Sequence, residues 1–107
     1  MPANNINSAT FHKLLEGHEP VLVDYWAPWC GYCRRITTPY DRIADQYGDR
    51  VHITKINIDE EPALAEAQKI EIIPTLVLYR DGQAVGSIVA PESKAKIDEF
   101  IRETLGN

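Results

Sequence analysis

The chain has 107 residues, 44% of them apolar and 25% charged, which fits one globular domain with a single real core. Eleven Lys and Arg against sixteen Asp and Glu leave a net charge of −5, so the chain lacks the basic face that nucleic-acid binding needs. No apolar run approaches the roughly 20 residues that cross a bilayer, and Met1-Pro2-Ala3-Asn4-Asn5 has neither the basic nor the apolar region of a secretory signal.

Asn4 to Asn7 is polar, with Ile6 offering a short edge strand. Ser8 is placed to cap a helix whose Phe11, Leu14 and Leu15 recur at helical spacing, and Gly17 ends it. Val21 to Trp26 is almost continuously apolar, the pattern of a strand buried on both faces. Gly31 to Tyr47 reads as one long helix from Ile36, Tyr40, Ile43, Ala44 and Tyr47. Pro39 lies inside it and predicts a kink near Arg35 to Thr38. Val51 to Ile58 is β-branched-rich and reads as a second central strand. Pro62 to Lys69 is a short helix with proline in its first turn. Leu76 to Arg80, Asp81-Gly82 and Ala84 to Val89 make a hairpin. Pro91-Glu92-Ser93 then opens a last helix, with Ile97, Phe100, Ile101 and Leu105 on one face. Alternation followed by an antiparallel pair predicts an α/β domain spanning 1–107, with a mixed sheet of four to five strands and helices on both faces.

The only two cysteines, Cys30 and Cys33, sit between an apolar strand and a helix start. Free N–H groups and the positive end of the helix dipole converge there, which favours a thiolate. A structural zinc site needs four ligands, and His12, His18 and His52 are scattered at spacings unlike any zinc finger. Covalent haem attachment wants histidine directly after the second cysteine, where Arg34 stands. Two inert buried cysteines sit badly with Gly31 and Tyr32 between them. Redox chemistry is the reading that remains best supported.

Two distant features bear on it. Asp24 lies in a strand too apolar for a charge. It is either a desolvated proton acceptor near a thiol or a strand-end carboxylate accepting backbone N–H bonds. Lys55 is its partner if their strands are neighbours, or else snorkels into solvent. Ile73-Pro74-Thr75 precedes a strand, where a cis proline could approach the cysteines.

The segment Trp26-Ala27-Pro28-Trp29-Cys30-Gly31-Tyr32-Cys33 closely resembles the W-A-x-W-C-G-P-C motif of the thioredoxin family. Val23-Asp24-Tyr25-Trp26, Lys55 to Asp59 and Ile73-Pro74-Thr75 resemble its buried-Asp strand, second core strand and cis-proline loop. The resemblance runs from about Phe11 to the C-terminus and implies the thioredoxin fold and protein-disulfide reduction through a reversible Cys30–Cys33 cycle. It implies Cys30 as attacking thiolate, Cys33 as resolving thiol, Asp24 as proton acceptor and Lys55 as its modulator. Pro28, Trp29, Ile73, Pro74, Thr75 and Ala90 would form the substrate surface. The implied partners are disulfide-containing proteins and a thioredoxin-reductase-type donor. No cofactor or metal is expected beyond the redox-active disulfide. A monomeric, cytoplasmic protein is expected, with no nucleic-acid or membrane partner.

The chain departs from the family pattern in four places. Tyr32 replaces the central proline, Pro39 falls one residue after the usual kink position at Thr38, Ala90 replaces a glycine, and the first strand is short. Gly31 and Tyr32 are the tuning positions. An added N–H donor at Tyr32 would stabilise the Cys30 thiolate and move the potential above the roughly −270 mV of thioredoxin, toward −180 to −230 mV. The alternatives are an isomerase or oxidant, which would need an oxidising compartment, and a non-enzymatic thioredoxin-like binding module.

Overall fold

A computed structural model describes residues 3–106. It holds ten elements in chain order: β1 (Asn4–Asn5), α1 (Ser8–Leu15), β2 (Val21–Trp26), α2 (Gly31–Arg35), α3 (Thr37–Tyr47), β3 (His52–Asn57), α4 (Pro62–Ala67), β4 (Thr75–Arg80), β5 (Gln83–Val89) and α5 (Lys94–Leu105). The strands form one sheet in the order β1-β3-β2-β4-β5. β1, β3 and β2 run parallel, whereas β4 and β5 are antiparallel to their neighbours. The expected α/β architecture is therefore the observed one.

The near-continuous apolar run of β2 has its cause in this order. β2 is the central strand and is buried on both faces. Leu22, Leu76 and Leu78 pack on one face with Tyr40, Ile43, Ile97 and Ile101 of α3 and α5. Val21, Val23, Tyr25, Val77 and Tyr79 pack on the other with Phe11 of α1 and Leu64 of α4. Side chains alternate along a strand, so Asp24 shares the Leu22 face, toward α2 and α3, and Tyr25 points the opposite way.

Three local expectations are corrected. The cap of α1 is Asn7, not Ser8: its carboxamide oxygen accepts from the Thr10 N–H at 2.9 Å, and Ser8 becomes the first helical residue. That helix ends at Leu15 with Glu16 as its cap, two residues before Gly17. The long helix from Gly31 is two helices, divided at Ile36 (φ −89°, ψ 2°). Pro39 lies in the first turn of α3, where the missing N–H would have had no partner inside that helix. The hairpin fits its sequence signal. Asp81 and Gly82 both have positive φ, 54° and 79°, as a two-residue type I′ turn requires.

Candidate active site

Cys30 is itself the N-cap of α2. Its sulfur accepts from the Cys33 N–H at 3.2 Å, taking a role usually filled by a serine, threonine or carboxylate oxygen. Cys30 is part-exposed and Cys33 is buried. The two are joined by a disulfide, with Cα atoms 5.2 Å apart. The donor to the Cys30 sulfur belongs to Cys33, so it is present whatever residue occupies position 32. Gly31 is exposed, and a Cβ there would meet nothing within 4 Å. The surface beside the disulfide is thus open.

Asp24 lies mid-strand, in register with Lys55 of β3 and Leu76 of β4. It is only 2% exposed, and its Oδ1 has no hydrogen-bond partner. The reading of a carboxylate satisfied by backbone N–H groups at a strand end therefore falls. Burial pushes its pKa up from 3.8 to about 7, with the positive charge of Lys55 pulling the other way. The Lys55 ammonium lies 4.5 Å from the centroid of the Trp26 ring. It is half-buried beside Asp24's strand, rather than extended freely into solvent. Trp26 is anchored below by its indole N–H, which donates to Asn5 at 2.9 Å.

Two further segments flank the disulfide. The Ile73–Pro74 peptide is cis, and the Ile73 carbonyl oxygen lies 4.0 Å from Cys30 Sγ. Thr75 is buried and donates its hydroxyl back to the Ile72 carbonyl. Ala90 donates its N–H to the Pro74 carbonyl at 2.9 Å, which ties the end of β5 to the cis-proline loop. Ala90 has φ 46°, the left-handed region that favours glycine, which gives a conformational reason for a glycine at this position. Trp29 is 66% exposed and donates its indole N–H to the Asp59 carboxylate at 3.0 and 3.3 Å. Pro28 is exposed, and its carbonyl accepts from Arg34 at 2.8 Å.

Of the residues singled out in the sequence, Ile73 thus meets Cys30, Ala90 is tied to the cis-proline loop, and Asp24 and Lys55 stand side by side on β2 and β3. Sequence reasoning missed Ile72 and Val89, which stand 59% and 49% exposed beside Ile73 and Ala90. The adjacent isoleucines Ile72-Ile73 before the loop proline were the available signal. It also missed Asp59 as the partner of Trp29, which only the approach of two loops reveals. Among the described residues, no group of three or more His, Cys, Asp or Glu is placed to hold a metal ion. Among the same residues, no helix is long and apolar enough to cross a membrane.

Comparison with known proteins agrees with this geometry. The thioredoxin family model matches residues 3–103. The chain is 45% identical over 93 residues to thioredoxin 1 of Synechococcus elongatus, covering 86% of this chain and 87% of that one. It is 39% identical to the chloroplastic M-type thioredoxin of Chlamydomonas reinhardtii, over 96% of this chain and 74% of that one. A solved thioredoxin from Malassezia sympodialis superposes with a TM-score of 0.86 at 30% identity, covering 97% and 94% of the two chains. With a reversible-disulfide pair at the head of α2 and these relatives across nearly its whole length, the chain belongs to the thioredoxin family and is a thiol–disulfide oxidoreductase that reduces protein disulfides.

Proposed function

We propose that the reduced protein works as a single-domain monomer through the following cycle. The Cys30 thiolate attacks one sulfur of a substrate disulfide, forms a mixed disulfide and releases the other substrate sulfur as a thiolate. Asp24, acting through a water, takes the proton from Cys33. The Cys33 thiolate then attacks Cys30 Sγ, expels the second substrate sulfur and closes the Cys30–Cys33 bond. Two electrons pass to the substrate, and a thioredoxin-reductase-type donor returns them to the pair. No other cofactor enters the cycle, and cytoplasm is the compartment we assign.

The observation that carries this reading is the contrast between the two sulfurs. One is part-exposed at a helix entrance with an N–H aimed at it; the other is buried in the first turn of that helix. A carboxyl with a pKa of about 7 can accept a proton and return it near neutrality. Lys55 keeps that value from rising further. Pro28, Trp29, Ile73 and Ala90, joined by the exposed Ile72 and Val89, supply the apolar contact surface. Pro74 and Thr75 shape its loop, and the Ile73 backbone would pair with an extended substrate segment by strand addition.

The test is insulin disulfide reduction. Cys30→Ser is expected to abolish it, and Cys33→Ser to accumulate a mixed disulfide; normal turnover by Cys33→Ser would refute the two-thiol cycle. Direction is tested separately. Tyr32 adds an N–H to the first turn of α2, where a proline has none, as a second donor beside the Cys33 N–H that meets the Cys30 sulfur, so the potential is expected between roughly −270 and −180 mV. Equilibration with glutathione measures it, and Tyr32→Pro should lower it. A natural value at or below −270 mV would overturn this part alone.

A further inference from the structure

The phenol of Tyr32 makes a long-range contact that a proline could not make. Its hydroxyl donates to the Pro91 carbonyl at 3.1 Å, across 59 residues of chain. Its ring is partly buried against the α3/α5 core, with the Arg35 guanidinium 5.9 Å from the ring centroid. Pro91 lies in the short connection from β5 to α5, directly after Ala90. Ala90 is the residue held at φ 46°, where an L side chain is disfavoured by roughly 1 kcal/mol or more. A strained conformation of this kind persists only when its surroundings over-determine it. Here there are two restraints. The Ala90 N–H is bonded to the Pro74 carbonyl, and the Pro91 carbonyl is bonded to Tyr32.

We infer that Tyr32 and Ala90 are a coupled pair, in which the Tyr32 hydroxyl clamps the β5–α5 connection in the left-handed conformation that Ala90 would otherwise leave. Tyr32 is then a positioning residue for the substrate surface. The clamp closes a loop of contacts around the entry to the disulfide. The 30–33 turn holds Pro91, Ala90 holds Pro74, and Ile73 faces Cys30. Two departures from the family pattern answer each other. A glycine at position 90 adopts positive φ without cost and needs no clamp. This inference rests on the assignment of Cys30 as the attacking group and of the Ile73 and Ala90 segments as the docking surface.

If the clamp is lost, part of the population leaves the docking-competent loop state, and the apparent affinity falls by that fraction. For one neutral hydrogen bond the expected change is about fivefold. The experiment is a double-mutant cycle read by insulin reduction. Tyr32→Phe keeps the ring and the backbone N–H and removes only the hydroxyl. It is expected to raise KM about fivefold, while kcat falls less than twofold. Hydrogen exchange of the Ala90 amide, which donates to the Pro74 carbonyl, is expected to quicken. In an Ala90→Gly background, the same Tyr32→Phe change is expected to raise KM less than twofold. Equal effects in the two backgrounds, or a fall in kcat at constant KM, would overturn the coupling. A Cys30→Ser control that still reduces insulin would instead overturn the underlying assignment, so the two failures are distinguishable.

Discussion

Residues 24 and 25 are neighbours on one strand, and both bury a polar group, yet the two faces of the sheet treat them in opposite ways. Tyr25 bonds its hydroxyl to that of Tyr79 at 2.7 Å, and Tyr79 donates onward to Gln68 at 2.8 Å. Burial and the neighbouring Tyr79 hold Tyr25 far above the usual phenol pKa, and burial pushes Tyr79 up to about 12 against the opposing hydrogen bond from Tyr25, so both stay neutral. Asp24 points to the α3/α5 face with an orphaned Oδ1 and a pKa in the physiological range. A buried polar group that is fully paired adds stability and specifies packing; one left unpaired costs stability and persists where it serves chemistry. The difference assigns structure to the α1/α4 face and reactivity to the α3/α5 face.

Removing the orphaned charge gives the largest expected effect. The folded-state pKa of Asp24 is raised, so the native protein binds this proton more tightly than the unfolded chain. Its favourable contribution is complete below pH 3.8 and is lost as pH rises to about 7. Asp24→Asn is therefore expected to change stability little near pH 3.5. It should gain progressively between pH 4 and 7, then stay at its full advantage, at most about 4 kcal/mol, above that. Urea denaturation across this range checks it. A gain that does not depend on pH would mean that Asp24 is not held protonated. The same substitution is expected to slow release of mixed disulfides.

The paired face makes the opposite prediction. Tyr79→Phe leaves the Tyr25 hydroxyl and the Gln68 carboxamide oxygen without their partner, at a cost of about 1–3 kcal/mol. Because these phenols stay neutral, the loss is expected to be the same at pH 4 and pH 8. Insulin reduction per folded molecule is expected to be unaffected. A Tyr79→Phe variant of full stability but impaired reduction would dissolve the division between the faces.

Much of this division was legible in the chain. The apolar run from Val21 to Trp26 announced a central strand, and the carboxylate inside it announced a buried acid. The cysteine spacing and the proline at 74 located the site, because each depends on chemistry written within a few residues. What escaped depended on contacts across the fold or on a choice between near-equals. Asn7 and Ser8 are both good caps, and only the path of the chain selects Asn7. Pro39 placed a disturbance near Arg35 to Thr38, and the break at Ile36 falls there; that it separates two helices instead of kinking one was not written in the spacing. The Tyr32 hydroxyl finds an acceptor 59 residues away, and the positive φ of Ala90 follows from how β5 turns into α5. Local spacing records neither.

Lys55 offers the smallest and most discriminating change, because it separates the two causes that set Asp24. Burial raises the Asp24 pKa, and the Lys55 charge opposes it from the neighbouring strand. The ammonium also sits over the Trp26 ring, so its position is fixed by more than the carboxylate. Lys55→Gln keeps a polar chain of similar length and removes the charge. The Asp24 pKa is then expected to rise by about half a pH unit, as suits a half-exposed charge screened nearly as strongly as in bulk water. The upper edge of the stability loss should move by the same amount above pH 7. An edge that stays in place would assign the whole perturbation to burial. An edge that moves down would mean that Lys55 disfavours the carboxylate, against the sign of its charge.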